Sequence, residues 1–209
     1  MLILKNYRKT YNGKLILLAD TLKLPERLIW IKGLNGSGKN TLLKSIAGII
    51  PFEGDILHEG LSLKKDPVKF RRLVTYSEAE PEYPLYLTGE ELIGFSARTR
   101  KVSQKEVDEL IQLFGMAHYF TSPCGGYSAG MVKKISLCMA FLGGSTLILL
   151  DEPFAFIDQE AAQMLADMIR NRTLGNTRII LTSHHDPVTE NIEADVTYHI
   201  DHCTMIRIS

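Results

Sequence analysis

Residues 33–41 read GLNGSGKNT. They follow the short apolar run Leu28–Ile31 and precede NTLLKSIAGI, in which Leu42, Leu43, Ile46 and Ile49 fall on one side of a helix. A glycine-rich turn between a buried strand and a helix narrows the fold to a parallel α/β sheet whose ligand sits at the strands' C-terminal ends. Consecutive N–H groups from Gly33 to Lys39 can curl around an anion, and the helix that follows adds its positive end. Asn35, Gly36, Ser37 and Gly38 form the cradle, Lys39 reaches the β- and γ-phosphates, and Thr41 offers a hydroxyl toward the α-phosphate. The pattern is broken at Asn40, where a Ser or Thr hydroxyl normally meets Mg²⁺.

The rest of the chain keeps the same rhythm. LVTY (73–76) reads as a strand, and the stretch from about Thr88 to Lys134 reads as mostly helical. In SQKEVDELIQLFGM, Val107, Leu110, Ile111 and Phe114 make an apolar stripe, with Ser103 and Glu106 as a capping box. TLILLDEP is a buried strand ending in Asp151 and Glu152. EAAQMLADMIRNR is an amphipathic helix through Ala161, Met164, Leu165, Met168 and Ile169. RIILTSHH is a second buried strand ending in polar residues, and VTYHIDHCTMIRIS is a hairpin turning near His202 and Cys203.

All the polar clusters therefore fall at strand ends. Asp151 is placed to hold Mg²⁺ through water, Glu152 to act as general base for an attacking water, and His184 to touch the γ-phosphate and orient that water. His185 is an adjacent competitor.

These residues resemble the ATP-binding subunit of an ABC transporter over essentially the whole chain. GLNGSGKNTLLKSIAGIIPFEGDI resembles the Walker A region and the strand after it. YSAGMVKKISLCMAFL resembles the signature and its helix, LILLDEP the Walker B strand, FAFID the D-loop ending at Asp158, and TSH the switch histidine. The resemblance implies a P-loop three-layer α/β sandwich with an N-terminal antiparallel β portion. It also implies an inserted helical subdomain at 86–136, with 1–85 and 137–209 as the core of a single domain. Tyr11 would stack on the adenine ring. Ser128 and Gly130 of one protomer would complete the γ-phosphate site of another in a head-to-tail dimer. Three departures from the family pattern stand out: Asn40; Glu78 at the place of the Q-loop glutamine, a direct Mg²⁺ ligand, with Glu80 as the alternative; and Tyr127 and Met131 at the two ends of the signature.

Composition bounds the function. Lys+Arg and Asp+Glu are both 24 in 209 residues, so the charge is balanced and nucleic acid is not an expected partner. The three cysteines lie far apart with no C-x-x-C, which fits a reducing compartment and structural thiols. No run reaches the roughly 18 apolar residues of a membrane helix. The expectation is a cytoplasmic ATPase, peripheral at the inner face of the cell membrane, that uses ATP and Mg²⁺ to drive a partner permease. A nucleotide-gated regulatory subunit with little hydrolysis is the alternative, and a soluble cassette acting on ribosomes or DNA is disfavoured by the missing basic excess.

Overall fold

The computed structural model describes residues 1–183 and 192–208. The chain opens with β1 (Leu2–Tyr11) and β2 (Lys14–Leu24), joined by Asn12-Gly13. Both turn residues have positive φ, 49° and 78°, which suits the right-handed twist of a two-residue hairpin and favours Asn-Gly. With β4 (Glu53–His58) and β5 (Leu61–Ser62) they form an antiparallel sheet in the order β2-β1-β4-β5. The hairpin turn carries Tyr11 at its tip.

A second sheet has the order β10-β9-β3-β8-β7-β6. Its members are β3 (Leu28–Lys32), β6 (Val74–Ser77), β7 (Leu147–Asp151), β8 (Arg178–Ser183), β9 (Val196–Asp201) and β10 (Thr204–Arg207). Strands β9, β3, β8, β7 and β6 are parallel, so their C-terminal ends gather on one edge. The β9–β10 hairpin turns at His202 and Cys203, as the sequence predicts.

Central strands are buried on both faces, so alternate residues serve different cores. Ile29, Ile31, Leu147, Leu149 and Ile180 face the antiparallel sheet and α1 (Lys39–Ile46), joining Leu2, Leu4, Leu42, Leu43 and Ile46. Trp30, Ile148, Leu150, Ile179 and Leu181 face the helical layer. That layer holds α3 (Gly89–Arg100), α4 (Gln104–Leu113), α5 (Ala129–Phe141) and α6 (Gln159–Leu174). Helix α5 begins in the predicted helical subdomain and runs on through position 136 into the core, burying Leu137, Cys138 and Phe141.

Local expectations are adjusted in four places. Leu73 ends a short helix, α2 (Pro67–Leu73), instead of starting β6. Ile49 lies beyond the end of α1 and is exposed. Ser103 caps α4, but Glu106 accepts from the Gly143 amide at 2.8 Å, so only half of the expected capping box forms. Tyr83 packs against the helical core, whereas its neighbours Leu85 and Tyr86 are 71% and 79% exposed. Cys124 and Cys138 are buried and Cys203 half-buried; all three are free thiols, and burial pushes Cys138 up to about 12.

Candidate nucleotide site

The loop after β3 delivers the chain to α1 through Gly36 and Gly38, at φ 77° and 108°. Gly38 occupies the N-cap with no side-chain capping bond, leaving the first N–H groups of α1 directed at the loop's interior. A Cβ on Gly38 would come 3.0 Å from the Ile16 side chain. Lys39 is nearly fully buried, and its ammonium donates to the carbonyls of Gly33 (2.7 Å) and Leu34 (3.2 Å). Burial lowers its pKa, against the opposing pull of Glu152 and Asp151.

The loop forms one wall of a cleft of about 430 Å³. Tyr11 and Ile16 come from the N-terminal hairpin, Asn35, Gly36, Gly38, Lys39, Asn40 and Thr41 from the loop and α1, and Asp151 and Glu152 from the end of β7. Tyr11 is 47% exposed and has the Lys9 ammonium 4.3 Å from its ring centroid, a cation–π contact. The Lys9 ammonium is itself anchored on the Pro51 carbonyl at 2.7 Å. The Ser37 hydroxyl is buried beneath the loop and close to Gly33, outside the cleft lining.

Parallel pairing builds the acidic edge. Asp151 is 2% exposed; its Oδ1 accepts from Thr182 Oγ1 at 2.6 Å and its Oδ2 from the Tyr76 hydroxyl at 3.3 Å. Burial first, then the charges of Asp151 and Glu78, push the Tyr76 phenol far above its ordinary value, so it stays a donor. The Glu152 amide donates to the same Thr182 hydroxyl at 3.2 Å, and Glu152 itself has φ 45°. A non-glycine residue in that region is held by its surroundings, and such residues cluster at functional sites.

Glu78 is not among the residues that line the cleft. Its carboxylate reaches Lys44 on α1 at 3.4 Å, and the residue that lines the cleft is Ala79. A methyl group therefore stands where the sequence reading places an acidic oxygen, and Glu80 does not line the cleft. Among the described residues no group of three or more His, Cys, Asp or Glu is placed to hold a metal ion. His184 lies outside the described residues.

Ser128, Gly130 and Asp158 form a second cluster. Ser128 caps α5: its Oγ accepts from the Met131 amide at 3.2 Å, while Met131 Sδ accepts from the Ser128 amide at 3.5 Å. Met131 thus fills the capping-box position that a Gln or Glu usually takes. A Cβ on Gly130 would lie 2.5 Å from the Phe156 carbonyl oxygen, so only glycine fits. Asp158 caps α6 through the Ala161 amide (2.8 Å) and accepts from Lys134 (2.9 Å); these bonds, the amide first, lower its pKa.

Sequence reasoning missed Ile16, Ala79, Tyr76, Thr182 and Lys133. The last is fully buried on α5, with its pKa pushed down to about 8 by burial against the opposing charges of Asp151, Glu152 and Glu78.

The family profile described as ABC transporter matches residues 21–155. The cytochrome c biogenesis ATP-binding export protein CcmA of Legionella pneumophila (strain Lens) is 32% identical over 160 residues, covering 76% of this chain and 80% of that protein. Among solved structures, an ATP-binding subunit of an ABC transporter superposes with a TM-score of 0.86 at 26% identity, covering 98% of this chain and 87% of that one. A dimeric post-hydrolysis state of the ATP-binding cassette MJ0796, bound to ADP and Pi, shares the fold with a TM-score of 0.86 at 17% identity, over 100% of this chain and 99% of its own.

Proposed function

The chain belongs to the ABC transporter family as an ATP-binding subunit, and from that premise we propose that it binds ATP in the cleft between Tyr11 and Glu152 and hydrolyses it to drive a membrane permease. The observation that carries this is the convergence of nine sequence-predicted residues, Tyr11, Asn35, Gly36, Gly38, Lys39, Asn40, Thr41, Asp151 and Glu152, on one cleft.

The adenine lies against the free face of Tyr11, a contact of about 1–3 kcal/mol by the usual worth of base stacking. The loop amides and the start of α1 take the phosphates. Lys39, whose ammonium donates to the carbonyls of Gly33 and Leu34, turns toward the phosphate oxygens as a point charge. Oxygen donors on Asn40 and Asp151 fit a hard cation such as Mg²⁺, which uses few protein ligands and relies on phosphates and water. That ion would supply neutralisation of the triphosphate charge. Glu152 takes a proton from the attacking water as oxygen bonds to the γ-phosphorus and the bond to the ADP oxygen breaks. The Tyr76 and Thr182 hydroxyls hold both Asp151 oxygens in place, leaving Glu152 as the acceptor.

Ser128 and Gly130 sit at the N-terminus of α5, outside the cleft lining. In a head-to-tail pair, a second ATP-binding subunit supplies them to this cleft, and the Ser128 hydroxyl, already an acceptor in its cap, still has its proton to give. The permease docks beside Ala79, where Leu85 and Tyr86 expose apolar surface. No helix among the described residues is long and apolar enough to cross a membrane.

Glu152→Gln tests the reading. Hydrolysis by the purified chain with its permease should fall by about 10²–10⁴-fold, the usual worth of a general base, while ATP affinity is retained. Wild-type turnover in the variant removes Glu152 as base; absence of ATP binding by the wild-type chain removes the whole reading.

A further inference from the structure

Strands β6 and β7 pair in register from Val74–Leu147 to Ser77–Leu150, and the ladder stops there. Just past the last pair, the Lys133 ammonium donates to the carbonyls of Glu78 (2.6 Å), Ala79 (3.3 Å) and Asp151 (2.8 Å). It bridges the ends of two parallel strands from a third element, α5, where a further backbone rung would otherwise lie. All three of its protons are used, and each acceptor is a neutral carbonyl.

A fully buried lysine is a costly way to fill space, since a charge out of water needs several good acceptors to persist. A Leu or Met would pack as well and would leave three carbonyls without this donor. The three carbonyls belong to functional segments. Asp151 C=O is part of the peptide that carries Glu152, whose amide is held on the other side by Thr182. Ala79 lines the nucleotide cleft, and α5 starts at Ser128 and Gly130.

We propose that Lys133 is a positioning residue: its three carbonyl bonds fix the Asp151–Glu152 peptide so that the Glu152 carboxylate faces the attacking water, and hold it in register with the Ala79 segment and the start of α5. The inference rests on Glu152 acting as base. Lys133 does not touch nucleotide; it acts through the backbone. A second contact between the same helix and strand, Ser77 Oγ to Ser136 Oγ at 2.9 Å, lies one turn further along α5 and touches none of these carbonyls.

The contrast between those two contacts sets the experiment. Lys133→Met, Lys133→Arg and Ser136→Ala are compared with wild type for thermal midpoint, ATP affinity, kcat and KM with the permease present, and amide hydrogen exchange across 149–155. Lys133→Met should lower kcat by about 30-fold with KM within about threefold, a loss confined to the chemical step. Its Glu152 amide should exchange at least about tenfold faster, as expected of local opening. Lys133→Arg, which keeps a multi-donor cation, should recover kcat to within about fivefold of wild type. Ser136→Ala should lower the thermal midpoint with kcat within about twofold, since it removes only neutral hydrogen bonds, to Ser77 and Tyr83.

The proposal is overturned if Lys133→Met keeps wild-type kcat and exchange, if kcat and affinity fall together, or if Ser136→Ala loses kcat as much as Lys133→Met. Should Lys133→Met fail to fold, Lys133→Gln, which keeps a donor, decides by the same kcat and exchange criteria. If the wild-type chain turns over no ATP, the reading of Glu152 as base fails by itself, and the exchange comparison still decides whether Lys133 fixes the peptide.

Discussion

Thr182 Oγ1 lies 2.6 Å from Asp151 Oδ1, and the same oxygen accepts from the amide of Glu152 at 3.2 Å. One hydroxyl therefore fixes a side chain and the next residue's backbone. Thr182→Val keeps the shape and removes both bonds. It should cost about 1–3 kcal/mol of stability, the range for leaving a buried partner unsatisfied, and lower kcat, whereas Thr182→Ser should restore both. Chemical denaturation and steady-state hydrolysis measure the two effects, and a valine variant with wild-type kcat would show that Glu152 is oriented without this hydroxyl.

Gly130 abuts the carbonyl of Phe156, and an added methyl would meet it at 2.5 Å. Gly130→Ala must push the start of α5 away from the 153–156 turn. The expected cost is about 1–3 kcal/mol, as for overpacking elsewhere. Nucleotide affinity of the isolated chain should be untouched, because the cleft lining excludes this residue. Thermal denaturation and a nucleotide titration separate the two readouts; a fall in monomer affinity would mean that the clusters are not separate.

Asn40 and Ala79 line the cleft without the hydroxyl and side-chain oxygen that the family pattern leads one to expect. Glu78 pairs with Lys44 at 3.4 Å and does not line the cleft. Asn40→Ser and Ala79→Gln should each strengthen the Mg²⁺ dependence of ATP binding, the double variant most, because Mg²⁺ demands close oxygen ligands at about 2.0–2.1 Å. ATP titrations with Mg²⁺ and with chelator give the ratio directly. An unchanged ratio in the double variant would show that the ion's protein ligands lie elsewhere.

His58 is fully buried in β4, with Nε2 2.8 Å from Thr146 Oγ1. Burial, against the nearby Glu59 and with help from Arg178, depresses its pKa from 6.5 to about 4. The unfolded chain therefore binds a proton more readily between those values. Stability is fully present above about pH 6.5 and falls as pH drops toward 4, by about 2 kcal/mol between pH 7.5 and pH 5 for a shift of this size. His58→Gln should flatten that part of the profile, as seen in urea denaturation at the two pH values. A parallel wild-type profile would assign the acid sensitivity to other groups.

The P-loop, the two buried strands ending in Asp151 and Ser183 and the tail hairpin were legible because each couples an apolar run to residues with special backbone or chemical demands. Ala79 was not, since attention goes to side chains with chemistry and Glu78 stands beside it. The direction that separates them, one toward Lys44 and the other into the cleft, depends on where β6 ends. Helix α2 hid for a related reason: in seven residues it buries only Phe70, too little for a period to emerge. Lys133 reads as one of a pair of cations on a polar helix face. Its burial arises only when α5 crosses the ends of β6 and β7, a tertiary fact with no local signature.

Each central strand divides its residues between two cores, Leu147 and Leu149 to one side, Ile148 and Leu150 to the other. A single residue inserted within β7 would exchange the two allotments and, in the same motion, turn Asp151 away from Thr182. For this strand, then, the spelling that packs the interior is also the spelling that aims the carboxylate, and neither can drift while the other stays put.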